Sequence, residues 1–151
     1  MNTELKENTK RMNKFLKGVH MGGSTFKEYL EKAQNVELKN ELKNIIESFK
    51  RHEEAITNRI EQMGGDAPDT LGFLGTISEF FEKIKLIPAD NDLEVCDHAI
   101  KAMEIGIKQG ERFKEENKDL DYSLMKEVNA IVNDYYKHLN TLNEIMRNYN
   151  R

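Results

Sequence analysis

The 151-residue sequence has no tryptophan, one cysteine and two prolines. A single thiol, Cys96, excludes an internal disulfide framework, and so few prolines leave long uninterrupted segments free to be helical. No run of about 18 apolar residues occurs, so a membrane span is not expected. Basic excess is absent too. With 27 acidic against 23 basic side chains the formal charge is −4, and nothing draws the chain to a phosphate backbone, so nucleic acid is not an expected partner. The opening stretch MNTELKENTK lacks the apolar core of a secretion signal, which with the lone cysteine points to a reducing cytoplasm. Length and a hydrophobic content of 38 % suit one soluble domain spanning 1–151 with a real core.

What is present is helical spacing. Leu5, Thr9, Met12, Leu16, Val19, Gly23, Phe26, Leu30 and Ala33 recur at alternating steps of four and three, predicting a helix over 3–34. His20 to Thr25, with two glycines, offers a competing turn with Ser24 as cap. The apolar phase passes through Gly22 and Gly23 unshifted, which favours a continuous helix, kinked or bulged at most. Leu38, Leu42, Ile45, Phe49, His52, Ile56, Ile60 and Met63 predict a second helix over 36–63, stopped by Gly64-Gly65. A connection this short folds the two into an antiparallel hairpin.

The second half repeats the plan, with a helix over 92–116 (Leu93, Cys96, Ile100, Met103, Ile107, Gly110), a turn at Asn117 to Asp121, and a helix over 121–149 (Leu124, Val128, Ile131, Tyr135, His138, Leu142, Ile145, Tyr149). No stretch sustains strand-like alternation. Between the hairpins lies a crossover, 66–92, whose Phe73, Leu74, Ile77, Phe80, Phe81 and Ile84 carry helical spacing. It predicts a short fifth helix that covers the bundle or, over 73–86, forms an interface, including one between copies of this chain. Helices of roughly 40 Å joined by such a segment let the second and third run in the same direction. The fold class is therefore all-α, a four-helix bundle of two hairpins.

Polar residues interrupt the apolar seams. His52 and His138 both fall on core positions of their helices, an unusual place for an imidazole unless it has a partner. Beside the seams of the first and third helices stand His20 and Glu104. Overlaying the hairpins makes His52 coincide with His138, His20 with Glu104 and Gly22 with Gly106. Four polar side chains, one per helix, would then reach one level of the interior. Imidazole and carboxylate suit one transition-metal ion such as iron or zinc, so His20, His52, Glu104 and His138 are the candidate ligands. The packing alternative is open too: each histidine is a core residue bonded to a carboxylate, tyrosine or water, and no cofactor is held. No HExxH or CxxC motif occurs. Cys96 reads as a buried small residue, since His98 is turned about 200° from it around the helix.

The stretches FLKGVHMGGSTFKEYLEKAQNVELKNELKNIIESFKRHEEAITNRIEQMGGDAPD and VCDHAIKAMEIGIKQGERFKEE resemble the bacterial ferritin-like superfamily, most of all an uncharacterised family of short four-helix proteins. The resemblance implies the ferritin-like fold. Rubrerythrin-type and ferritin-type members hold two irons with one Glu from each of two helices and a Glu-x-x-His from each of the other two. On that pattern His52 and His138 match the histidines, and Glu104 and His20 fall on the lone-glutamate positions. Phe49 and Tyr135 replace the two motif glutamates. Two irons need bridging carboxylates, and this set supplies one. The resemblance thus implies a degenerate centre, mononuclear or empty, in a protein of storage, sensing or stress protection, with intact oxidase or peroxidase chemistry not expected. A metal-free helical module for interaction or self-association is the alternative.

Overall fold

The computed structural model describes residues 3–65 and 91–149. It has four helices, α1 (Thr3–Lys32), α2 (Val36–Gln62), α3 (Asp92–Glu116) and α4 (Tyr122–Tyr149), each within two residues of its predicted bounds. The described residues contain no strand. The proposed fifth helix, and the interface assigned to it, lie outside the described residues.

Local chemistry sets the helix ends. Asn35 caps α2 by accepting a hydrogen bond from the Leu38 amide at 3.0 Å, Asn91 caps α3 through the Glu94 amide at 2.9 Å, and Asp121 accepts from the Ser123 and Leu124 amides at the head of α4. At the end of α2, Gly64 takes φ +86°, which a side chain would resist. The Gly65 amide then donates to the Ile60 carbonyl at 3.0 Å, so the paired glycines stop the helix as expected. Helix α1 runs unbroken through Gly22 and Gly23. The competing turn does not form, and the Thr25 hydroxyl instead bonds back to the Met21 carbonyl at 2.9 Å.

Cross-helix pairs fix the topology. His20 meets Glu53 between α1 and α2; Glu41 meets His138, and Arg59 meets Glu127, between α2 and α4. Arg11 meets Asp119 and Phe15 meets Phe113 between α1 and the α3 end of the second hairpin. Gly65 against Thr9 gives α1–α2 a second pair, and Cys96–Leu142 with Gly110–Val132 join α3 to α4; within each helix pair one number rises as the other falls, so all four neighbouring pairs are antiparallel. Helices α2 and α3 consequently run in the same direction, on opposite corners. Gly65 ends α2 beside Thr9, whereas Asp92 opens α3 beside the α1–α2 turn. The chain from 66 to 90 therefore joins opposite ends of a bundle roughly 40 Å long.

Each helix turns one apolar stripe inward, and Met12, Leu38, Leu42, Ile45, Ile56, Ile60, Met103, Leu124, Ile131 and Leu142 are almost wholly enclosed. Burying side chains of this kind contributes about 1.5–3 kcal/mol each. No helix among the described residues is long and apolar enough to cross a membrane.

Two contacts close the ends of the bundle. The carboxylate of Asp92, in the first turn of α3, accepts from the Gln34 amide at 2.7 Å and the Asn35 amide at 3.0 Å. These amides precede α2 and have no partner within a helix, so a carboxylate from the other hairpin satisfies them. At the opposite end Arg11 donates to both oxygens of Asp119. Replacing Asp92 with alanine should lower the unfolding free energy by about 1–3 kcal/mol, as expected when charged acceptors are removed from backbone donors. In a denaturant titration the midpoint should fall with the slope unchanged; an unmoved midpoint would show that the clamp is dispensable.

Candidate functional site

The four candidate ligands do not meet. His20 lies in the groove between α1 and α2, with Nδ1 2.9 Å from Glu53 Oε1. His52 and His138 share the seam between α2 and α4, about one helical turn apart along it. His52 Nε2 stands 2.8 Å from Asp134 Oδ2, a close charge contact without hydrogen-bond alignment. His138 Nδ1 lies 3.0 Å from Glu41 Oε1. Glu104 is exposed on α3. It follows Met103, whose side chain enters the core, and the ~100° turn per residue carries its carboxylate to the water side. Among the described residues no three His, Cys, Asp or Glu side chains converge closely enough to hold a metal ion.

Three carboxylates that the sequence reading did not select, Glu41, Glu53 and Asp134, are the partners of the three histidines. Glu41 had a signal. It precedes Ile45, Ser48 and His52 by four, seven and eleven positions, which places all four on one stripe of α2. Glu41 and Ser48 are indeed buried. Asp134 stands four residues before His138 and so lies on the same stripe of α4.

The seam also contains polar atoms without hydrogen-bond partners: Ser48 Oγ, His138 Nε2 and the poorly aligned His52 Nε2. The internal repeat places Ser48 where Asp134 stands in the second half, since both precede their histidine by four residues. In sequence the repeat thus sets a hydroxyl, Ser48, where the second half has the Asp134 carboxylate. Burial lowers the pKa of His52 below that of a free imidazole, against the opposing pull of Asp134. Its neutral form is therefore favoured.

The residues that replace the motif glutamates fill the bundle centre. Phe49 and Tyr135 are buried, and their ring centroids lie 5.3 Å apart across α2 and α4. Phe26 of α1 stacks on Phe49 at 5.6 Å and takes Tyr29 edge-on at 5.4 Å, so four rings from three helices form one chain. The Phe49 ring passes so near α1 that a Cβ on Gly22 would stand 2.7 Å from its Cε1. Tyr135 crosses Gly106 of α3, with a Cβ there 3.5 Å from its Cε2, in ordinary contact. Burial raises the Tyr135 phenol well above its usual pKa, keeping it protonated and a poor ligand. A di-iron centre does not fit this set: the two positions that the resemblance assigns to bridging carboxylates are rings, and the one lone carboxylate, Glu104, faces water.

Cys96 is fully buried, its thiol 3.5 Å from the Leu142 carbonyl, and burial pushes its pKa up to about 11. A thiol held protonated at neutral pH is not a nucleophile.

The likeness to known proteins covers most of the chain. A family profile described as a domain of unknown function, DUF2383, matches residues 7–116. Among solved structures the fold is similar to one described as ferritin like, diiron-carboxylate proteins from Bacillus anthracis str. Ames. It covers 97 % of this chain and 99 % of that chain at 17 % identity, with a TM-score of 0.64. No curated protein matches.

The lowered pKa of His52 has a definite sign. The unfolded chain takes up a proton at about pH 6.5, whereas the folded chain resists it to lower pH. His52 therefore supports the fold above that value, and its contribution falls as pH drops through 6.5 and below. Urea unfolding between pH 8 and pH 5.5 should show stability declining toward acid, with a shallower decline in His52→Gln. An equally steep decline in the variant would assign the acid sensitivity to other groups.

Proposed function

From a chain that belongs to the DUF2383 family and has a ferritin-like fold, we propose a protein that works as a metal-free helical module rather than as a di-iron oxidase or peroxidase. The observation that carries this reading is the Phe49–Tyr135 contact at 5.3 Å, in the positions where Glu-x-x-His motifs would place glutamates. Apolar rings neither bridge cations nor neutralise them, and they close the bundle centre by packing. The work of such a module falls to its outer faces. Val36, Leu93, Ile105, Tyr122 and Tyr136 stand exposed there, suited to association with another helical surface, a second copy of this chain included.

A second reading has its own support. One buried imidazole nitrogen, His138 Nε2, lacks a hydrogen-bond partner, and buried polar atoms ordinarily have one. A single iron or zinc ion held by His20, His52, Glu104 and His138 would supply it, after α1 and α3 had turned their candidate ligands inward.

One experiment separates the two. Protein purified from metal-replete cells without chelator should contain less than about 0.1 equivalent of iron, zinc, nickel or copper, and its melting temperature should stay within about 1 °C when those ions are added. About one equivalent of metal, with a thermal stabilisation that His52→Ala abolishes, would overturn the metal-free reading in favour of the single ion.

A further inference from the structure

The two halves of the chain superpose in sequence with a constant offset on each helix type. Gly22 and His20 map onto Gly106 and Glu104 at 84 positions, and Phe49 and His52 map onto Tyr135 and His138 at 86. Each glycine lies against the aromatic of its own hairpin, Gly22 against Phe49 and Gly106 against Tyr135, and the two rings meet across the seam. The replacements at 49 and 135 are thus a matched pair in one repeated unit.

The imidazoles next to this unit keep a feature that metal-ligating histidines need. A ligand imidazole is commonly oriented by a carboxylate on its second nitrogen. Here Asp134 stands at 2.8 Å from His52 and Glu41 at 3.0 Å from His138, each reaching across from the opposite helix. Acidic partners for both histidines are in place, and the inner carboxylates are not.

We infer that Gly22–Phe49 and Gly106–Tyr135 form an aromatic lock that supplies, by packing, the cross-bracing of α1, α2 and α4 that a metal centre would otherwise provide. This rests on the metal-free reading. The lock ties α2 to α4 by direct ring contact, and Gly22 allows α1 to close over the Phe49 ring without a clash. The four-ring chain from Tyr29 to Tyr135 extends the same bracing to α1.

Two measurements on the full chain test the lock. In a double-mutant cycle of Phe49→Leu and Tyr135→Leu, read by chemical unfolding, the folding equilibrium should show coupling of about threefold to tenfold, as expected for paired rings. Additive effects would overturn the proposal. In the second measurement Phe49→Glu and Tyr135→Glu are combined, restoring Glu-x-x-His on both helices, and cobalt(II) is added. The folded double variant should develop the visible absorption of protein-bound cobalt, lost when His52→Ala is added, while the parent protein stays colourless. A folded variant that leaves cobalt unbound would overturn the inference; where burying two glutamates unfolds the chain, the leucine cycle decides alone. Cobalt binding by the parent protein would instead strike at the metal-free reading, so the two failures are distinguishable.

Discussion

The contact between the Phe49 and Tyr135 rings is the constraint around which the bundle is arranged. It joins the second helix of each hairpin at mid-height, and it sets how closely the first helix can approach, since Phe49 lies almost against the Gly22 backbone. A bundle centre has two ways to hold four helices together: polar ligands converging on an ion, or apolar side chains packed at crystal-like density. Among the described residues the middle of this bundle is filled in the second way, by rings from three helices. The two solutions differ in their demands, because packing needs complementary shape whereas an ion needs balanced charge.

The polar residues left over are distributed in a telling way. His20, His52 and His138 each face a carboxylate on a neighbouring helix. None of these pairs lies within one helix, so each reports the register of two helices as well as their proximity. Their energetic worth is modest at the partly exposed edges of the seams. Directional contacts nevertheless distinguish one sliding position of a helix pair from the next, which apolar contact alone does poorly. The unpartnered atoms of Ser48 and His138 mark the place where this polar seam is least complete.

Much of the architecture was legible in the spacing of apolar residues. Steps of three and four located the four described helices, the glycine pair at 64–65 marked a true stop, and the length of the crossover allowed α2 and α3 to run in the same direction, as they do. The same spacing placed Phe49, His52 and Tyr135 in the interior, where they are. It did not resolve which neighbour a flanking residue faces. His20 and Glu104 occupy equivalent positions by overlay, yet one finds Glu53 across its groove and the other faces water. A residue at the rim of an apolar stripe is one rotation step from either outcome, and the deciding factor is the residue opposite, which lies far away in sequence. The acidic partners were missed for that reason. Glu53 looks like an ordinary surface charge until the helix that faces it is known, and even Glu41, on the stripe of Ile45 and His52, does not name its partner.

The Asp92 carboxylate, reaching from the second hairpin to the two backbone amides of the first turn, has an implication for how the halves find each other. Together with the Arg11–Asp119 pair at the far end, it means that mutual recognition is written into helix surfaces at both extremities. Covalent linkage of any two binding halves raises the effective concentration of one around the other. Both of these contacts lie within the helices and the short turns of the two hairpins, so each hairpin carries its own half of the recognition.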